Sequence, residues 1–379
     1  MRTFGVEEEL LLVDIHSGRL VAAAQPVMAR QHLQAAAAAD HDGGHDGGEG
    51  DRGEGDGLTL EVQQEQIEVT SPPCTTLTGL LEAIRRGRSR ADAAAQLVGA
   101  RAVAMATSIE PVSAHLVPKP RYQAMMARFG LLLKEQLTCG FHVHVSVESE
   151  EEGVAVLDRI RVWLPVILGL SCNSPFWHGT DTSYGSYRYQ VWGRWPSAGP
   201  SEIFGSAAAY RLLISAMLDS GVLLDEGMIY FDARLSPHQP TVEIRIADVC
   251  MRAEHAAALA AVIRALVETA AHAWRSGEPP LPVKATQLRL ASWQASKYGV
   301  EGELVHPLLN KPCASAVAVE ALLEHARPVL AQCGDLVPVE HMLARILEHG
   351  TGSRRQRLSM SRTGSRLSVV SDAIDITHA

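Results

Sequence analysis

The amino-acid sequence predicts an α+β fold, an antiparallel sheet with helices packed on one face and the other face open to a ligand. Three observations lead there. Several short segments alternate apolar and polar residues with period 2, the mark of strands buried on one side only. Two of these segments, 228–235 and 241–248, are close neighbours in sequence and are expected to pair antiparallel. Everything from Met251 onward reads as helices, so helical layers rather than further strands complete the chain.

The elements follow in order. Residues 4–13 form a first strand in which Phe4 and Val6 share one face and Glu7 and Glu9 the other, while Leu10 to Val13 is apolar on both sides and enters the interior. Glu8 has the parity of Phe4 and Val6 and is left at a local pairing position. An alanine-rich helix is expected over 20–39, with Pro26 near its start or kinking it. Residues 40–57 contain no apolar side chain, only Asp, Gly, Glu, His and Arg, and read as a flexible loop; their glycines do not fall where a calcium-binding EF-hand loop needs them. Two short extended pieces come next: 59–62, with Glu61, and 66–70, where Ile67 and Val69 face inward and Glu68 outward. A long helix, or a pair broken near Gly87, is expected over 75–108.

The segment Gly140-Phe141-His142-Val143-His144-Val145-Ser146-Val147 has the cleanest alternation in the chain, with two imidazoles on one side. A His-x-His pair on a strand either grips a metal ion or is a solvated face. Ser149 to Glu152 supplies a capping box for a helix of about twenty residues that includes Trp163 and Pro165. Residues 172–196 lack either periodicity but hold seven of the nineteen aromatic residues together with Arg188 and Arg194, which favours a ligand-binding lid over a loop that merely packs. The last helices are expected over 253–276, 286–298, 315–331 and 339–349. Beyond them Gly350 to Arg357 reads as a glycine-led helix start rich in arginine, where Arg354 and Arg355 either receive phosphate or form a solvated face.

Composition bounds the function. With 379 residues and 46% hydrophobic content the chain is globular, and a single catalytic domain over 1–379 is expected, its C-terminal third (251–379) helical. A net charge of −9 without a basic, aromatic-interleaved patch disfavours nucleic acid. No apolar window is long enough for a membrane span and the start is too acidic for a signal peptide, so a cytoplasmic protein acting on small molecules is expected. The six cysteines form no Cys-x-x-Cys and indicate neither a disulfide framework nor a thiolate zinc site.

Taken together, the polar strand faces carry Glu7, Glu9, Glu68, His142, His144, Asp232, Arg234, Glu243 and Arg245. So many carboxylates on one surface repel unless cations neutralise them, and a carboxylate-rich, imidazole-poor set suits hard ions such as Mg2+ or Mn2+. Magnesium commonly arrives with phosphate oxygens, yet the chain has neither a Gly-x-x-x-x-Gly-Lys-Ser/Thr loop nor a Gly-x-Gly-x-x-Gly turn after a strand. A nucleotide must then be held through metals and arginines.

Several blocks resemble the bacterial carboxylate-amine ligases of the glutamate-cysteine ligase type 2 group, distant relatives of glutamine synthetase. They are Phe4-Gly5-Val6-Glu7-Glu8-Glu9, Gln66-Ile67-Glu68-Val69-Thr70, Gly140 to Val145, Ser174-Pro175 through Gly179-Thr180-Asp181-Thr182 to Arg188, Asp232 to His238, Thr241 to Arg245, and Lys297 to Gly302. The resemblance implies a saddle-shaped sheet with helices on its convex face and ATP and metals on the concave one. It implies an enzyme that phosphorylates the side-chain carboxylate of glutamate with ATP and couples it to an amine, most simply cysteine. By position it makes Glu7, Glu9, Glu68, His142 and Glu243 metal ligands, with Glu61 a further candidate. Arg188, Arg234 and Arg245 become phosphate and carboxylate clamps, and His144 a contact to nucleotide or substrate. A homodimer is left open. Two other classes compete: a metal-dependent hydrolase built on His142 and His144, and a nucleotide or metal sensor without turnover.

Overall fold

The N-terminal eleven residues from Phe4 form the strand on which the sheet is built. In the computed structural model, which describes residues 1–31 and 57–379, the strands are β1 (Phe4–Asp14), β2 (Leu58–Leu60), β3 (Gln66–Thr70), β4 (Ala100–Val103), β5 (Gly140–Ser146), β6 (Phe176–Trp177), β7 (Thr180–Asp181), β8 (Ala233–Leu235) and β9 (Thr241–Asp248). Seven of them make one sheet in the order β2-β3-β1-β5-β9-β8, and β4 pairs with the far end of β1; β6 and β7 form a separate ribbon. Every pairing in the large sheet is antiparallel, as expected. The strand β1 is long enough to serve three partners: β5 along Phe4 to Glu8, β3 along Glu7 to Leu11, and β4 along Leu11 to Asp14. Leu10, Leu11, Leu12 and Val13 are all buried, so this strand enters the interior past its carboxylates.

The helices Leu77–Gln96, Leu164–Ser171 and Ala253–Arg275 pack against the strands, and Ala253–Arg275 also packs against five other helices. That last helix passes the length and hydropathy test for a membrane span, but it lies in the core, its Arg264 bonded to Asp335 and to the Thr75 carbonyl. A first apolar cluster joins the inner faces of β5 and β9 to these helices. A second gathers the end of β1, β4 and the last helix, Arg366–Thr377.

Several expectations are corrected. The helix over 75–108 is one unbroken helix, Leu77–Gln96, and Gly87 lies inside it. A Cβ at Gly87 would sit 2.5 Å from Val69 Cγ1, so glycine is there to let the helix press onto β3, not to end it. Residues 100–103, alanine-rich enough to read as helix, are a strand because β1 offers them an unpaired edge. The helix begun by Ser149 stops at Ile160 and restarts at Leu164, with Pro165 in the first turn of the new helix, where it sacrifices no hydrogen bond. The Ser149 hydroxyl does cap the Glu152 N–H, but the Glu152 carboxylate accepts from Glu148 N–H and pairs with Arg2 and Arg275. Strand β8 is three residues long rather than eight, following a 3-10 turn at Glu226–Met228.

Of the alanine-rich helix over 20–39, residues 24–31 are helical; Pro26 falls in its first turn, and the rest lies outside the described residues, as does the acidic stretch 40–57 apart from Gly57. The C-terminal helices stand at Ala253–Arg275, Ala285–Tyr298, Ser315–Cys333 and Leu336–His349, followed by Gly352–Thr363 and Arg366–Thr377. A small ribbon, Glu303–Val305 with Pro312–Ala314, interrupts them.

Candidate active site

Strand register brings the acidic residues together. On the polar face Glu9 lies opposite Glu68 across β1 and β3, and Glu7 lies opposite His142 across β1 and β5. His144 lies opposite Glu243 across β5 and β9, and Glu243 opposite Arg234 across β9 and β8. Residues opposed in this way stand within contact distance, so the row crosses the sheet as one connected surface. A bulge opposite His142 places two β9 residues, Arg245 and Ile246, against one on β5. This row floors a cavity of about 1510 Å3. Its rim takes residues from segments without a recognised motif, among them Arg121, Tyr122, Trp192, Trp195 and Tyr230. Of these, Trp192 and Trp195 belong to the stretch expected to bind ligand, whereas Arg121 and Tyr122 carried no sequence signal; Arg121, forked onto Asp225 at 2.6 and 2.8 Å, has its partner 104 residues away.

Three trios each bring one ligand atom per residue to within 4.8 Å of the others: Glu7, Glu68 and His142; Glu7, His144 and Glu243; Glu9, Glu61 and Glu68. Charge is distributed unevenly among them. At one end Glu243 accepts the Arg234 Nε–H at 2.7 Å and also bonds Arg245, and despite burial these two guanidiniums hold its carboxyl far below the usual range. Burial works against Glu7 too, but contacts with His142 (3.0 Å) and His144 (3.1 Å) keep it well below its ordinary value. At the other end burial and the Glu61 carboxylate raise Glu9 to about 7. Burial, with Glu61, Glu7 and Glu9, pushes Glu68 well above the normal range. Carboxylates that hold protons because they are buried beside one another are the ones a cation would relieve most.

The donor set fits a hard divalent cation. His142 is held neutral, burial and Arg245 pushing it down to about 4, and its Nε2 is buried without a hydrogen-bond partner, 4.0 Å from Glu9 Oε1. A neutral imidazole nitrogen beside unpaired carboxylate oxygens is a ligand in waiting. The His-x-His pair thus does point one way, with carboxylates rather than further histidines as its companions.

The three arginines are placed differently. Arg234 and Arg245 line the cavity, both paired with Glu243. Arg188 does not line it. It is buried in the helix Tyr187–Trp192, where its Nη1 and Nη2 donate to the Ile246 and Arg245 carbonyls at 3.3 Å, and it approaches Asp248 at 3.9 Å. It also abuts Gly140, where a Cβ would lie 2.4 Å from its Nη2 and 3.0 Å from His142 Nε2. Arg188 therefore sits beneath the cluster, lowering Glu9 from below, and the close approach needs glycine at 140.

The expected lid at 172–196 is not one. Asp248 anchors the segment by accepting from Asn173 N–H (2.8 Å) and from the Ser174 and Ser186 hydroxyls (2.7 Å each), and residues 172–176 are buried. Only Trp192 and Trp195 from this stretch reach the cavity, the Trp192 ring lying over both the Arg188 and the Arg245 guanidinium. Arg354 and Arg355, taken from the sequence as cofactor contacts, are also corrected: they line a second cavity with Arg252, Arg345 and His255 and are not among the residues around the large one. Their helix starts where the sequence placed it, but on another part of the surface.

Residues 3–372 match the model of glutamate-cysteine ligase family 2. A relative from Paenarthrobacter aurescens, provisionally named glutamate–cysteine ligase 2-1, is 52% identical over 100% of this chain and 95% of its own. One from Streptomyces coelicolor, provisionally named glutamate–cysteine ligase 2, is 45% identical over the whole of both chains. Among solved structures, the Francisella tularensis glutamate–cysteine ligase in complex with AMP superposes with a TM-score of 0.69 at 12% identity, covering 100% of this chain and 89% of that one. The bifunctional glutathione synthetase of Pasteurella multocida gives 0.66 at 14%, covering 100% of this chain and 52% of that one. At such identities the structural likeness is one of fold.

Proposed function

Because the chain belongs to glutamate-cysteine ligase family 2 and is an ATP-dependent carboxylate–amine ligase, we propose that it joins the γ-carboxylate of glutamate to the amine of L-cysteine. ATP would transfer its γ-phosphoryl group to the carboxylate oxygen and leave as ADP. The amine would then attack the carbonyl carbon, losing a proton as phosphate departs, to give γ-glutamylcysteine. The observation that carries this reading is the row of Glu7, Glu9, Glu61, Glu68, His142 and Glu243 on the floor of one cavity, flanked by Arg234 and Arg245.

Phosphoryl transfer needs alignment and charge neutralisation more than covalent help from the protein, and this site is arranged for both. Divalent cations, Mg2+ or Mn2+, held by Glu9, Glu61 and Glu68 and by Glu7, Glu68 and His142, would screen the phosphate oxygens. Arg234 and Arg245 stand where a carboxylate or phosphate oxygen can exchange with Glu243 for a guanidinium N–H. Arg188 acts from beneath as a positioning residue: its charge keeps Glu9 from being raised further, and its bulk sets the backbone of Gly140. His144, bonded through Nδ1 to the Thr241 hydroxyl at 3.0 Å, orients Glu7 and borders the space where substrate would lie.

The test is ADP release with glutamate and a panel of amines, with and without Mg2+. The reading expects release that needs glutamate, amine and metal together, fastest with cysteine. ADP release indifferent to glutamate would overturn it, and a faster amine would replace cysteine as the acceptor.

A further inference from the structure

We propose that the second cavity binds a small anion bearing several phosphoryl groups, at a site separate from the carboxylate cluster. The cavity holds about 380 Å3, room for a small ligand, and its wall carries Arg252, His255, Arg345, Arg354 and Arg355. In a chain of net charge −9, cations gathered in a concavity would ordinarily be matched by carboxylates. Here Glu348 is the one acidic residue on the wall among the described residues, and its carboxylate lies 3.7 Å from His349 Nε2. Arg355 reaches Asp372 only at 3.9 Å, and Arg354 donates to the Glu348 carbonyl at 3.5 Å. No ion pair or hydrogen bond to a carboxylate engages Arg252 or Arg345 among the described residues.

The backbone adds to the same field. Two helices begin on this wall, Ala253–Arg275 after Arg252 and Gly352–Thr363 after Thr351, and neither preceding residue caps its helix with a side chain. Positive helix ends, planar guanidinium forks and a concave wall together favour a multiply charged oxyanion over a single carboxylate. Burial first, and then the charges of Arg252 and Arg345 against the opposing Glu254 carboxylate, push His255 down to about 4.

The experiment is calorimetric titration of the metal-free protein with inorganic triphosphate at low ionic strength in the presence of a chelator. Without metal the carboxylate cluster repels polyanions, so binding reports the second cavity and the result is independent of the ligase reading. The expected result is saturable one-to-one binding, weakened at least about tenfold in the double variant Arg345→Ala, Arg354→Ala, whose two side chains are exposed and whose folding is checked by its melting temperature. Binding should persist unchanged in Glu7→Gln. Absence of saturable binding in the unaltered protein, or equal affinity in the double variant, would overturn the proposal. So would an affinity raised by Glu7→Gln, since relieving the repulsion in the carboxylate cluster matters only to an anion bound there.

Discussion

Replacing Glu7 with glutamine is expected to lower turnover by a factor on the order of 10² to 10³ while the protein remains folded. Glu7 is the residue shared by the trio with Glu68 and His142 and the trio with His144 and Glu243, so one substitution withdraws charge from both. Glutamine preserves the shape and one acceptor oxygen, which keeps the packing against β5. A second readout separates this from a general loss of order. His144 is buried, which alone would lower its pKa, and it is the Glu7 carboxylate that raises it. In Glu7→Gln the His144 ring, followed by NMR, should therefore titrate at lower pH than in the unaltered protein. Turnover within twofold of the original would remove Glu7 from the site.

The second large effect is on stability. Arg88, fully buried in the helix Leu77–Gln96, forks onto Glu8 at 2.7 and 2.9 Å and donates to the carbonyls of Cys250 (2.6 Å) and Met251 (2.9 Å). It ties β1, the segment that follows β9 and the helix layer together at the one acidic residue of β1 that faces the core. Arg88→Met leaves the Glu8 carboxylate buried without a counterion and two carbonyls without donors, a loss of about 3–5 kcal/mol by urea unfolding. Adding Glu8→Leu to that variant should restore part of the loss, since the uncompensated charge is then gone. A loss below about 1 kcal/mol from Arg88→Met would mean the pair is not buried as described.

These two residues mark what the chain discloses before it is folded and what it does not. Glu7, Glu9, Glu68, His142 and Glu243 were legible because period-2 alternation assigns each to a strand face, and antiparallel pairing must then bring like faces together. Glu8 could be seen to face inward, but its partner lies eighty residues away on a helix, and no local pattern names it. Arg188 was legible as a charged residue in an aromatic segment, yet whether that segment covered the site or packed beneath it depended on Asp248, which binds Asn173, Ser174 and Ser186 within it. Residues 100–103 failed for a similar reason: alanine favours helix locally, and a tertiary edge on β1 overrode it. Arg354 and Arg355 do lie at a helix start, as read, but distance from the large cavity cannot be read from a one-dimensional chain.

The central claim is that Glu9, Glu61 and Glu68 are gathered so that a divalent cation can hold them together. It is tested most directly by calorimetric titration of the metal-free protein with Mn2+ near pH 7 in two buffers of different ionisation enthalpy. Glu9 and Glu68 have raised pKa values without metal, so they bind protons that a cation must displace. The account predicts saturable Mn2+ binding with proton release, an affinity that rises with pH, and in Glu68→Gln at least about tenfold weaker binding with fewer protons released. Because the substitution also removes a repelled carboxylate, the metal-free variant should melt no lower than the original protein. Saturable binding that Glu68→Gln leaves untouched, or no binding at all, would contradict it.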